Sequence, residues 1–261
     1  MADDFLKTIA KHKLETLSGK EAYFANLKKN LSSTEKHRYE IFKKAISKPG
    51  QINLIAEIKK ASPSAGIIRE DFEVRKIAKI YLDHKAAAIS VLTEEKYFLG
   101  NFAYLEKVTE NCPVPVLMKD FIIHEYQIFE GAFFGASAVL LIVAMLSDAQ
   151  MKDLMDVAHA LGLDCLVEAH SEGEIERALK VGAEIIGVNN RNLRTLQVDV
   201  NNSMRMIGII PQGKIIVVES GLKTRDDIKR LQEAGAQAVL IGETFMRAAD
   251  IGAKIKEIMG C

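Results

Sequence analysis

Lys59, Lys119, Glu57, Glu168, Glu219 and Asn189 share one feature: each ends, or closely follows, a short and mainly apolar run. Taken singly, a charge at such a place is a solvated rim residue. Taken together, two lysines, three glutamates and an asparagine that converge on one place form a set able to give and take protons. Ser90 is the polar residue of the second run, Arg191 follows Asn189, Ser220 follows Glu219, and Gly242 closes the final run.

Glu57 and Lys59 are two residues apart, so on an extended strand they point to one face. A buried ion pair that fixes strand register would also explain them. Buried pairs are poor stabilisers, however, and chemistry is the better reason to keep one. A second constellation is suited to an anion. Glu219-Ser220-Gly221 leaves the seventh run, and Ile241-Gly242-Glu243-Thr244 leaves the eighth. Glycine lets backbone N–H groups approach a phosphate closely. The Glu243 carboxylate is awkward beside an anion, so its side chain is expected to point away and only its N–H to contribute. Phe98, Phe121, Leu140, Leu193 and Ile241 are candidates for an apolar pocket wall, with plain core packing as the alternative. No metal site is expected. The histidines at 12, 37, 84, 124, 159 and 170 show no HxH or HExxH spacing, and most read as surface residues; for His170, which closely follows Glu168, a place supporting that glutamate is the less favoured alternative.

The elements that must position these groups repeat along the chain. Eight apolar runs begin at Asn53, Ala88, Pro115, Ala138, Asp164, Glu184, Lys214 and Ala238. They are too uniformly apolar for half-exposed strands and suit a parallel sheet covered on both faces. Between them lie helix signals. Val74, Ile77, Ala78 and Tyr81 form one stripe, as do Met151, Leu154, Ala158 and Leu161, and Ser147-x-x-Gln150 and Ser171-x-x-Glu174 read as capping boxes. Gly135-Ala136, Gly182-Ala183 and Gly235-Ala236 each close a helix just before a run. Such βα units close most simply into a single (β/α)8 barrel with its site at the strand C-termini. An open doubly wound sheet would need a glycine-rich fingerprint after its first strand, where this chain has Lys59-Lys60-Ala61-Ser62-Pro63. Residues 1–48 read as an extra N-terminal helical segment, with apolar spacing at Ile9/Leu14/Leu17 and Tyr23/Phe24/Leu27, ahead of a catalytic barrel over 49–261.

Bulk properties agree. With 48% hydrophobic and 27% charged residues among 261, the chain can bury a large core. The 35 basic residues balance the 35 acidic ones, so nothing draws it to nucleic acid or a membrane, and anion binding must be built locally. Cys112, Cys165 and Cys261 form no CxxC pair, the first residues carry no signal-peptide pattern, and the longest apolar run is too short to cross a bilayer. A cytoplasmic protein is expected.

Ile55-Ala56-Glu57-Ile58-Lys59-Lys60-Ala61-Ser62-Pro63-Ser64 closely resembles the first-strand signature of indole-3-glycerol phosphate synthases. The resemblance continues through Thr93–Phe98, Val116–Phe121, Asn189–Leu193 and Glu219–Gly221, in register with the runs. It implies a lyase of tryptophan biosynthesis that closes an indole ring on an anionic sugar-phosphate substrate, with no cofactor. It implies Lys119 as the acid that protonates the sugar carbonyl and Glu168 as the base that restores aromaticity. Lys59, paired with Glu57, would orient the anthranilate carboxylate or release the hydroxyl. Asn189 and Glu219 would hold sugar hydroxyls and the reacting carbonyl, and Arg191 would steer an anionic group. Phosphate would sit on Ser62, Gly221, Gly242 and the Glu243 N–H. Lys60 and Ala65 depart from the family's common Arg and Lys, outside the acid–base set. Transient contact with other enzymes of the pathway is a further partner expectation. Phosphate-binding isomerase barrels place Cys/Asp or Asp/Asp pairs at their strand ends, and a silent sugar-phosphate barrel would lose Lys119 or Glu168; neither description fits these residues.

Overall fold

The computed structural model describes residues 2–31, 40–191 and 197–260. Eight strands form a closed parallel barrel: β1 Asn53–Ile58, β2 Ala88–Leu92, β3 Val116–Lys119, β4 Ala138–Ile142, β5 Asp164–Ala169, β6 Ile185–Asn189, β7 Ile215–Glu219 and β8 Ala238–Ile241. Each pairs with its sequence neighbours, and β1 pairs with β8 to close the ring. Glu168, Asn189 and Glu219 lie inside their strands, at or near the last residue, because pairing continues past the apolar run.

Alternation along the strands divides the core into two layers. Ile55, Leu117, Leu140, Leu166, Ile185 and Leu240 fill the barrel interior, whereas Leu54, Ile89, Met118, Val139, Ile186 and Val239 pack outward against helices. Every residue of β1, β2, β4, β5, β6, β7 and β8 is buried, which explains their nearly unbroken hydrophobic text.

The outer ring begins with α4 Val74–Asp83, whose stripe of Val74, Ile77, Ala78 and Tyr81 is buried. The Tyr81 hydroxyl donates to the Glu57 carbonyl at 2.8 Å, tying this helix to β1 at a candidate site residue. Next come α5 Phe102–Thr109, α6 Glu125–Phe133, α7 Asp148–Ala160, α8 Glu172–Lys180, α9 Asn201–Ile207, α10 Arg225–Glu233, the short α11 Glu243–Met246 and α12 Ile251–Met259. The repeated Gly-Ala pairs act as helix stops. Gly135, Gly182 and Gly235 take φ of 83°, 89° and 102°, and the next N–H reaches back to the helix at 2.9–3.0 Å. Ser147 and Gln150 form the expected capping box. Ser171 accepts from the Glu174 N–H, but the Glu174 carboxylate does not return to Ser171; it binds His170 instead.

The N-terminal helices are α1 Ala2–Leu17, α2 Glu21–Leu31 and α3 Ile41–Ile46. α2 packs against α6, burying Phe24 and Leu27, and Phe24 stacks on Tyr126 at 4.1 Å. α3 closes the bottom of the barrel. Phe42 and Ile46 join the interior core, and the Asp164 carboxylate accepts the N–H groups of Phe42 and Lys43, both at 3.0 Å.

The N-terminal spacing differs from expectation. Leu14 and Tyr23 are exposed, at 56% and 42%, and the inward stripe of α1 is Ile9, Lys13 and Leu17, all buried. A lysine is tolerated there because Asp120, next to Lys119, meets its ammonium at 2.7 Å. The same carboxylate accepts from Thr93 Oγ1 at 2.6 Å and from the Phe121 N–H at 2.7 Å. Lys13→Met should therefore lower unfolding stability by ~3–5 kcal/mol, the usual cost of leaving one buried charge alone. Urea titration checks it, and adding Asp120→Asn should restore part of the loss. An unchanged midpoint in the single variant would rule out this pair as an anchor of α1.

Among the described residues, no helix is long and apolar enough to cross a membrane.

Candidate active site

A cavity of about 630 Å³ opens where the strands end. Glu57, Lys59, Lys119, Glu168, Asn189 and Glu219 all line it, brought together from β1, β3, β5, β6 and β7. The interior apolar layer lies directly beneath, so these charges rest on a dry floor where electrostatic interactions are strong.

Lys119 is the hub. Its Nζ stands 3.3 Å from Glu168 Oε2 and makes a short contact with Glu219 Oε2. Burial alone would drive off its proton, but Glu219, Glu168 and Glu57 outweigh that and hold the ammonium above its ordinary value. The two carboxylates on this lysine are driven in opposite directions. Burial would raise Glu168, yet the Lys119 ammonium and His170 override it and hold Glu168 well below the usual carboxylate range. Burial pushes Glu219 up, and repulsion from Glu168 and Glu57 adds to this against the pull of Lys119. Glu219 Oε1 is buried without a hydrogen-bond partner. A methyl group on Gly187 of β6 would fall 2.6 Å from that oxygen, so glycine leaves it its space. Environments that separate the proton affinities of neighbouring groups are what acid–base chemistry needs.

On β1, Lys59 Nζ donates to Glu57 Oε1 at 2.6 Å, with both side chains largely buried. The pair shares one face, as the spacing requires.

The apolar wall is assembled from several loops. Phe98 and Phe121 meet at 5.8 Å between ring centroids, and Leu140 lines the cavity beside them. The turn that delivers Phe98 is organised by Glu94, whose buried carboxylate accepts the N–H groups of Lys96, Tyr97 and Phe98 at 3.0, 2.7 and 3.0 Å. Ile241 borders the cavity, but its side chain belongs to the helix-facing core, while its neighbour Leu240 belongs to the interior layer. Leu92, Ile142 and Leu240, not singled out by sequence, complete the wall. Leu193 lies outside the described residues.

The anion-binding side also differs in detail. Ser220 and Gly221 both take positive φ, 68° and 81°, and both line the cavity with Gly242 and Glu243. Ser62 does not: it is buried in a short hairpin, Ala61–Ser62 against Gly66–Ile67, with its Oγ 3.4 Å from that of Ser64. Ser90 is also absent from the lining. It faces Glu57 across the β1–β2 register, fully buried with an unpartnered hydroxyl, one layer too deep. The Glu243 side chain does not point away, as expected from sequence. Its carboxylate sits between Arg247 Nε at 2.9 Å and Arg191 at 3.3 Å, and these cations with Lys59 outweigh burial and hold its carboxyl below the ordinary value. Arg191 also donates its N–H to Asn189 Oδ1 at 2.9 Å. Lys223, Arg247 and Lys254, which sequence reading missed, add positive charge to the lining on this side. No spacing rule marks them, because they come from separate loops and α12.

His170 is a correction. The favoured surface reading fails and the less favoured one holds: the ring is largely buried, 3.2 Å from Glu168 Oε1 and 3.3 Å from Glu174 Oε2.

A family model described as indole-3-glycerol phosphate synthase matches residues 6–258. The indole-3-glycerol phosphate synthase of Acetivibrio thermocellus is 52% identical over 221 residues, covering 85% of each chain. That of Ruminiclostridium cellulolyticum is 46% identical over 257 residues, covering 98% of each. Among solved structures, 3-hexulose-6-phosphate synthase from Salmonella typhimurium superposes with TM-score 0.64 at 14% identity, covering 80% of this chain and 97% of that one. A mutant tryptophan synthase α-subunit from Pyrococcus furiosus superposes at 0.60 with 13% identity, covering 80% and 98%. These two likenesses concern the fold alone.

Proposed function

The chain belongs to the indole-3-glycerol phosphate synthase family, and from that premise we propose which residue carries each step of the family's reaction. The enzyme converts 1-(2-carboxyphenylamino)-1-deoxyribulose 5-phosphate to indole-3-glycerol phosphate, with loss of carbon dioxide and water, in tryptophan biosynthesis.

The observation that carries the assignment is the Lys119 ammonium lodged between Glu168 and Glu219 at the barrel mouth. Ring closure requires an acid at the sugar carbonyl as the aromatic carbon attacks. Lys119 is that acid: it is charged, desolvated and fixed by its neighbours. Once the carboxylate has left as carbon dioxide and the hydroxyl as water, the ring recovers aromaticity by surrendering a proton. Glu168, held ionised, takes it. Lys59, braced by Glu57, meets the anthranilate carboxylate or gives the proton with which the hydroxyl departs. Asn189 and the unpartnered Glu219 Oε1 receive sugar hydroxyls. Phosphate lies against the backbone of Gly221 and Gly242, with Arg191 drawn to it. Ser62 and Ser90, away from the cavity lining, drop out of the direct contacts. The Phe98–Phe121 wall accepts the anthranilate ring.

In the same reading the helical segment over 1–48 serves the barrel over 49–261 through Lys13 and Asp120. A cytoplasmic location, freedom from cofactors and transient contact with neighbouring pathway enzymes belong to it too.

Purified protein supplied with the substrate in EDTA should produce indole fluorescence, and Glu168→Gln should lose most of this turnover while still binding substrate. Full turnover by Glu168→Gln would remove Glu168 from the role of base.

A further inference from the structure

His170 has no part in the roles assigned above, yet its ring stands in contact with Glu168 Oε1. It follows β5 and stands two residues beyond Glu168, so the chain carries both towards one side. Its Nε2 lies 3.2 Å from Glu168 Oε1, an ion contact rather than an aligned hydrogen bond. Its Nδ1 lies 3.3 Å from Glu174 Oε2 on α8, and the same oxygen accepts the His170 backbone N–H at 2.7 Å. The ring is thus clamped at both nitrogens and through its own main chain. Glu174 abandons half of its capping box to make this clamp, a local loss that a purely structural helix start does not require.

We propose that His170 is a positioning residue for the reaction: braced by Glu174, its imidazole ring grips Glu168 Oε1, leaving Oε2 turned to Lys119 and keeping the carboxylate charged and oriented as the base. The proposal rests on Glu168 being that base.

The charges facing the pair are few. Glu168 lies on β5 and Glu174 on α8, and beyond Glu168 stand Lys119 on β3, Asn189 on β6 and Glu219 on β7. Burial would strip the ring of its proton, but the close carboxylates of Glu168 and Glu174 outweigh this and raise it from its ordinary 6.5 to about 9. The ring is therefore cationic across the neutral range. A cation beside Glu168 favours its ionised form, so removing the cation raises the pH at which Glu168 becomes a base.

The test is the pH profile of kcat, from the lowest pH at which each protein stays folded up into the alkaline range, for wild type, His170→Asn, Glu174→Gln and Glu168→Gln, followed by indole fluorescence. In His170→Asn the acidic limb should move upward by roughly one unit or more, with a kcat loss on that limb of about tenfold per unit. KM should change less than kcat, because His170 is not among the residues that line the cavity. Glu174→Gln keeps the histidine but loosens its clamp, and should give a smaller shift in the same direction. Should His170→Asn fail to fold, Glu174→Gln and His170→Gln decide the matter by the same readout. Acidic limbs that superimpose on wild type in the folded variants overturn the proposal, provided Glu168→Gln is inactive. An active Glu168→Gln would instead overturn the assignment of the base itself.

Discussion

Lys119→Ala is expected to lower kcat by at least ~10²–10⁴-fold, the range that one positioned general acid contributes. The loss should exceed that of an ordinary acid, because the ammonium is also the only cation within contact of both Glu168 and Glu219 among the described residues. Without it those carboxylates face each other in a dry site, and one must take up a proton. The variant therefore loses the proposed acid and disturbs the proposed base in one change. Lys119→Arg keeps the charge but not the reach of a primary ammonium, and it should recover folding stability without recovering turnover. Stopped or steady-state fluorescence with saturating substrate measures the first effect and chemical unfolding the second. If Lys119→Ala retained more than a tenth of wild-type kcat, the carbonyl would have to be protonated by another group, and Lys59 would be the one to examine.

Gly242→Ala is expected to reduce kcat/KM by about 10²-fold, the scale on which a misplacement of ~1 Å acts in an active site. The backbone of Gly242 takes an ordinary negative φ of −126°, so strain is not the reason for glycine here. The reason is Glu57. A methyl group at this position would overlap Glu57 Oε1 and stand 2.9 Å from its Cδ. Lys59 holds that same oxygen, so the carboxylate moves only by disturbing the pair. Overpacking of this kind also costs ~1–3 kcal/mol of stability. The kinetic and stability losses should appear together, and Glu57→Gln should show the kinetic loss with little of the other. Wild-type kcat/KM in Gly242→Ala would mean that Glu57 relocates freely and that its position does not matter to the chemistry.

The barrel was legible because its signals are local. An apolar run bounded by a polar residue marks a strand, a Gly-Ala pair marks the end of a helix, and the order of these marks imposes the closed sheet. The residues at the cavity floor and rim follow from the same text, since a charge at the end of a doubly buried strand has only the mouth to face. On α1, where the reading failed, the partner was distant in sequence. Lys13 takes an inward position on α1 only because Asp120 awaits it, and nothing near Lys13 announces that carboxylate. The Ser171-x-x-Glu174 pattern was read as a helix cap on spacing alone, but His170 competes for the glutamate. His170 itself had a usable signal. It stands two residues from Glu168, as Lys59 stands two from Glu57, and the argument that paired the second couple applies equally to the first. The cations Lys223, Arg247 and Lys254 converge only in three dimensions.

The plug that α3 makes under the barrel has a consequence for traffic. With Phe42 and Ile46 seated below the interior layer, the strands enclose a blind well rather than a tube. Substrate enters, and carbon dioxide, water and the finished indole leave, by one doorway. With the phosphate at the place proposed for it, beside Gly221 and Gly242 on that rim, the two small neutral molecules would have to slip past the product or wait for it to go.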